Sequence, residues 1–255
     1  RAQKSGSARS GRSGMTEIQK KTIIGCVCAV SCEILFGLSY LFTKKITSDV
    51  DAVTLLGWRF LLAFIMMNIF LITGYININI KKKHFSSLLK IAALQPIAYF
   101  TCETFGIQMT TASESGSIIA CIPIASLVAS ILFLQKKPTR FQTSGICLTV
   151  VGVIVCVTAK GFESSFSGIG YIMLCMAVLS YSLYCVSAEK ADKTTSIEKT
   201  YVMIACGACF FATMAIAKSI AAGTVVDLLM LPFQNTVFLF SILYLGIASS
   251  VLSFV

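Results

Sequence analysis

The stretch Leu94–Ile124, LQPIAYFTCETFGIQMTTASESGSIIACIPI, decides how the whole chain is read. Two apolar runs flank a short polar turn, and the first run carries both Pro96 and the carboxylate of Glu103. A carboxylate in hydrocarbon is costly, so it faces a bundle interior, a wet cavity or a partner. Working outward from it, apolar runs of bilayer-spanning length recur along most of the 255 residues, and 56% of the chain is hydrophobic. The runs are uninterrupted and lack the alternation of barrel strands, which leaves helices as the spanning element. The chain reads as an all-α polytopic membrane protein.

Eight spans are expected, at about Ile23–Phe42, Val53–Thr73, Leu88–Met109, Glu114–Leu134, Ser144–Ala159, Gly168–Ser187, Thr200–Ala217 and from Thr236 onward. Lys and Arg concentrate in alternate connections: sixteen on the side of the N-terminus against four opposite, or twelve against four without the leader. That asymmetry places the N-terminus in the cytoplasm. It also accounts for the net charge of +10 without nucleic acid, for which no basic, aromatic-interleaved domain exists. Residues 1–14, RAQKSGSARSGRSG, read as a disordered leader or an artefact, with Met15 as the start. The sequence halts within an apolar run at Val255, and is expected to be truncated by about two spans.

The eleven cysteines lie in apolar segments and read as packing residues; with a single histidine, His84, in a lysine-rich loop, a zinc site lacks ligands. No cofactor is expected. An intramembrane enzyme is disfavoured because no span carries a histidine or a pair of aspartates. No phosphate-cradling G-x-x-x-x-G-K-[ST] motif is present to couple ATP directly.

A weak internal repeat is visible. A shift of 150 lays Pro96-Ile97-Ala98 on Gly246-Ile247-Ala248, and a shift of 144 lays Tyr40 on Tyr184. With five spans per unit, a second unit enters from the opposite face, giving inverted repeats with helix breakers Pro96 and Gly246 at matched positions.

These residues resemble a known family. GLSYLFTKK (37–45), WRFLLA (58–63), the block from Tyr99 to Phe133 and KPTRFQTSGICLTVVGVIV (137–155) are similar to the EamA-type transporters of the drug/metabolite transporter superfamily. The resemblance implies ten helices in two inverted five-helix repeats, here 15–160 and an incomplete 161–255, around a central cavity. It implies transport of small metabolites or amino acids, often outward, from a bacterial cytoplasmic membrane. The chain departs from the family where a glutamate usually follows span four: Lys136 stands there.

Within that frame, Glu33 and Tyr40 share one face of span one, and Gln95, Tyr99 and Glu103 are stacked at four-residue spacing along span three. These are expected to line the cavity, with Glu33 or Glu103 meeting a substrate ammonium group or carrying a proton. Their structural alternative is interhelical hydrogen bonding. Thr111 and Glu114 fit a capping box. Ser117 and Cys121 belong to a small-residue seam with a possible ligand contact, while Tyr181, Tyr184 and Ser249 are candidate walls through the repeat alone. Arg59, beside Trp58 near a helix end, is expected to snorkel to the interface. The expected partners are the bilayer, a small-molecule substrate and protons; the rival function is a membrane sensor for a small ligand.

Overall fold

The computed structural model describes residues 17–78, 82–160, 167–191 and 194–252. The basic leader, loop residues Lys81, Asp192 and Lys193, and the side chains of Lys82, Lys83 and His84 lie outside the described residues. All the described elements are helical: α1 (Glu17–Thr47), α2 (Ala52–Ile72), α3 (Lys82–Ala92), α4 (Tyr99–Met109), α5 (Ala112–Ile119), α6 (Ile122–Leu134), α7 (Arg140–Lys160), α8 (Gly168–Lys190), α9 (Ser196–Ala222), α10 (Val225–Gln234) and α11 (Thr236–Leu243). Two π segments complete them, Ala93–Ala98 between α3 and α4, and Tyr244–Leu252 after α11.

Among the described residues, five helical stretches are long and apolar enough to cross a membrane: Gln19–Thr47, Ala52–Ile72, Ala112–Leu134, Gly168–Lys190 and Ser196–Ala222. A sixth results if Val225–Gln234 and Thr236–Val251, bent by 86°, form one span. The protein is a polytopic membrane protein. The third expected span differs from a continuous helix, because Gln95 takes extended angles (φ −141°, ψ 119°) beside Pro96. Proline has no N–H and its ring crowds the preceding turn, so the α-helical ladder cannot continue through it. The Leu94 carbonyl at the break accepts from the Tyr99 N–H and also from the Ser180 hydroxyl of α8 at 2.9 Å, which ties the break to the bundle. A sharp bend at Asn235 precedes the last span. Gly246 lies within the second π segment.

Helix ends are capped from sequence. Asp51 accepts from the N–H groups of Val53 and Thr54 at the start of α2. Thr111 and Glu114 form a reciprocal capping box on α5, and Thr195 and Glu198 form another on α9.

Close approach between helices organises the core. The backbone of Gly57 on α2 lies against Phe211 and Ala215 of α9, where an added Cβ would sit 3.0 Å from the Ala215 Cβ. Gly207 on α9 has both Phe60 and Pro96 so near that a Cβ would meet each at 2.7 Å. Gly246 lies on the α2 backbone, with the Arg59 carbonyl 3.0 Å from a notional Cβ. The packing is reciprocal: α2 packs on α9 and on the second π segment, while α9 packs on α2, α3 and the first π segment. The same shift of 150 that lays Pro96 on Gly246 lays Gly57 on Gly207. In lipid, where helix association depends on packing more than on water exclusion, such small-residue approaches carry the association.

A second such seam joins α4 to α8. A Cβ on Gly106 would lie 2.7 Å from Cγ and Cδ2 of the fully buried Leu174, and one on Gly170 would lie 2.7 Å from Thr110 Cγ2. Gly106→Val is therefore expected to destabilise by about 1–3 kcal/mol through overpacking. Gly152→Val, placed where nothing lies within 4 Å, serves as its neutral counterpart. Thermal unfolding in detergent, followed by tryptic resistance or a thiol dye, should separate the two; equal midpoints would remove the seam from the stability argument.

Candidate functional site

The breaks and glycine seams leave a cavity of about 420 Å³ between α1, the first π segment, α4, α5, α6, α7 and α8. Its lining includes Glu33, Phe36, Gly37 and Tyr40 of α1, Gln95 and Tyr99 on either side of the break, and Tyr181 of α8. Gly116, Ile119 and Ala120 of α5, Ile122 and Pro123 of α6, and Thr149 of α7 close the remaining wall. The size suits a small metabolite and falls in the range of small-molecule sites.

Helical spacing explains the α1 contribution: Glu33, Gly37 and Tyr40 fall on one face, so carboxylate, open floor and phenol present together. Glu33 is exposed, so its carboxylate is accessible from the cavity. Tyr99 and Tyr181 meet edge to face with ring centroids 5.3 Å apart, and Tyr181 meets Tyr184 at 5.4 Å. The cavity therefore combines an aromatic cluster with one anionic group in its lining.

Glu103 is placed differently from Glu33. It is buried, and its Oε1 accepts from the Tyr99 hydroxyl at 2.6 Å. Tyr40 interacts electrostatically with it, and both phenols line the cavity while Glu103 stands behind them. Gln95 is fully enclosed, and both its amide oxygen and nitrogen lack a hydrogen-bond partner. An orphaned buried amide atom costs about 1–3 kcal/mol, so this residue stands out beside the cavity.

Arg59 corrects the expectation of snorkelling. It is only 2% exposed and turns into the bundle. Its Nε donates to Ser250 Oγ at 2.9 Å and its Nη2 to Ser249 Oγ at 3.1 Å, both in the second π segment. The guanidinium carbon lies 4.3 Å from the centroid of Phe100, and the group interacts electrostatically with Glu103. Its neighbour Trp58 donates from Nε1 to the Leu228 carbonyl of α10 rather than anchoring in the interface alone.

Of the residues singled out from sequence, Glu33, Tyr40, Gln95, Tyr99 and Tyr181 come together on the cavity, with Glu103 directly behind. Ser117, Cys121, Tyr184 and Ser249 do not reach its lining. Ser117 Oγ and Cys121 Sγ donate back to the carbonyls of Ser113 and Ser117, and Ser249 serves Arg59. Pro96 sits at the break itself, and Glu114, besides its cap, accepts from the Tyr171 hydroxyl at 2.8 Å. Sequence reasoning missed Phe36 and Thr149 on the cavity and Ser250 on Arg59. Phe36 was within reach, since it follows Glu33 by three positions on the helix.

Lys136 of the loop after α6 pairs with Glu189 near the end of α8, in an exposed position. The side chain that departs from the family pattern therefore still has an ionic partner, though an exposed pair contributes about 0–1 kcal/mol. Lys44 is spent structurally too: its Nζ donates to the carbonyls of Ile107 and Gln108 at 3.1 and 2.9 Å, covering the end of α4.

Known proteins are similar to this chain. The EamA-like transporter family matches residues 23–158. The chain is 31% identical over 229 residues to the uncharacterized transporter YcxC of Bacillus subtilis, covering 89% of this chain and 73% of that protein. The uncharacterized transporter YoaV of the same organism is 20% identical over 169 residues, covering 66% and 58% respectively. Protein PagO of Salmonella typhimurium is 28% identical over 101 residues, covering 38% and 33%. With its membrane-spanning helices and central cavity, this chain belongs to the EamA-like transporter family.

Proposed function

We propose that the protein is a secondary transporter that exports small metabolites or amino acids by alternating access, with an amine-bearing, amphipathic molecule as its substrate. The observation that carries this reading is the cavity of about 420 Å³ in which one accessible carboxylate, Glu33, faces the rings of Tyr40, Tyr99 and Tyr181. Glu33 binds the ammonium group, the phenols hold the apolar body, and the Gln95 amide pairs with a hydrogen-bonding group of the substrate. Glu103, screened by two phenols and facing a fixed cation across the bundle, carries the exchanged proton.

The remaining architecture follows the same reading. Inverted repeats over 15–160 and 161–255 rock about the cavity, and the reciprocal packing of α2 and α9 on each other's broken partner supports that symmetry. The charge asymmetry supports a cytoplasmic N-terminus, and the bacterial relatives support the cytoplasmic membrane as the site. Export is the direction that the family resemblance suggests.

Uptake of a labelled amine and amino-acid panel into proteoliposomes, with and without a pH gradient, tests the reading. Glu33→Gln removes a charge-assisted contact and is expected to raise the half-saturating concentration about tenfold or more. Glu103→Gln is expected to abolish stimulation by the pH gradient while changing half-saturation less than about threefold. Saturable uptake indifferent to both substitutions would overturn the assignment of the two carboxylates, and absence of uptake for the whole panel would overturn the transport reading.

Gln95→Leu gives an independent check. Replacing an unpartnered buried amide with an apolar isostere removes a penalty of about 1–3 kcal/mol, so the thermal midpoint is expected to rise. Transport of the best panel substrate is expected to fall about tenfold, as its polar group loses a partner. A variant that is stabilised yet transports normally would assign Gln95 to the fold alone.

A further inference from the structure

A second hollow, of about 450 Å³, lies between α6 and α7. It is bounded by Ser126, Leu127 and Ser130 on one side and by Gln142, Gly145 and Ile146 on the other. Pro123 and Thr149 line both this hollow and the central cavity, so the two spaces meet at a shared wall. The gap exists because α7 packs chiefly on α5 and stands away from α6. The outer faces of both helices carry exposed apolar side chains, among them Leu132 of α6 and Val151 of α7, so the hollow opens where lipid chains would lie.

We infer that the α6–α7 hollow is a lateral binding groove through which an uncharged, hydrogen-bonding amphiphile dissolved in the bilayer reaches the central cavity. The inference rests on the transport reading for its purpose, but not for its geometry or its test. The lining mixes hydroxyls, the Gln142 carboxamide and aliphatic side chains with no ionisable group, which suits a neutral polar head on an apolar body. A molecule entering through the groove meets Glu33 only after passing Pro123 and Thr149. Pro123 and Thr149, shared with the cavity, distinguish this occupant from a resident lipid, which has no reason to extend past them.

Gly145 supplies the test, because nothing lies within 4 Å of a Cβ built on it and a large side chain can fill the groove without displacing the fold. The protein in phosphatidylcholine vesicles is photolabelled with a diazirine-bearing octanol, and labelled residues are located by mass spectrometry. Label is expected on Leu127 and Ile146 in the groove and on Phe36 and Tyr181 in the cavity. Gly145→Trp is expected to cut labelling at both places about tenfold, Gly145→Ala to change neither, and the lipid-facing Met214 of α9 to be labelled equally in all three proteins. A size-exclusion profile matching the parent establishes that Gly145→Trp is folded; if it does not match, Gly145→Leu takes its place.

Loss of groove label with retention of cavity label in the filled variant would overturn lateral entry. So would labelling spread evenly over exposed helix faces, or groove labelling by a diazirine on a phospholipid acyl chain that octanol fails to displace. None of these readouts requires transport, so a failed uptake assay and a failed groove remain distinct results.

Discussion

The buried guanidinium of Arg59 is the interaction on which the arrangement turns. Arginine keeps its charge under any ordinary condition and brings five donors in a rigid fork, so burying it obliges the surroundings to supply acceptors or an aromatic face. Here they come from distant parts of the chain: two hydroxyls at Ser249 and Ser250, the ring of Phe100 and the field of Glu103. The second π segment cannot leave α2 without stranding that charge in an apolar bundle. Breaking a buried ionic arrangement on one side is far costlier than the arrangement is worth when intact. The glycine approach at Gly246 and the serine contacts therefore work together, one by shape and the other by charge.

From that anchor the cavity follows. Glu103 lies on the Arg59 side and is held by the Tyr99 hydroxyl, so that phenol is oriented before any ligand arrives, with Tyr40 beside it on the cavity. Their other faces form the cavity wall with Tyr181. Site and scaffold are thus joined through shared side chains, and the Gln95–Pro96 break, clamped by Gly207 and by the Ser180 hydroxyl, sets where Tyr99 stands. π-type irregularities inside helices are frequent at functional sites, and both of those described here adjoin this network.

Much of this was legible in the sequence, for reasons that can be named. Five of the eight expected spans, and a sixth if the bent pair is one, follow from apolar length, the capping box from Thr111 and Glu114, and the break from Pro96, all of which are local signals. Glu33, Tyr40, Tyr99 and Glu103 were recognisable because polar groups at helical spacing in an apolar run are conspicuous. Arg59 was misread because only its local setting, one turn from a loop and beside a tryptophan, is visible in one dimension. Its true partners are 190 and 191 positions away along the chain. The same limit hid the fate of Ser117 and Cys121, whose spacing is equally consistent with facing a ligand or their own backbone. The apolar groove between α6 and α7 has no one-dimensional signature, since it depends on how far two helices diverge.

The unpartnered amide of Gln95 has a thermodynamic consequence for binding. Two orphaned groups together disfavour the conformation that strands them by about 2–6 kcal/mol relative to one that pairs them. A bias at the lower end of that range already shifts a two-state equilibrium about thirtyfold. A ligand group that pairs the amide removes that penalty, so occupancy of the cavity stabilises the arrangement described here. One uncharged side chain at a helix break thereby couples binding to the stability of the break.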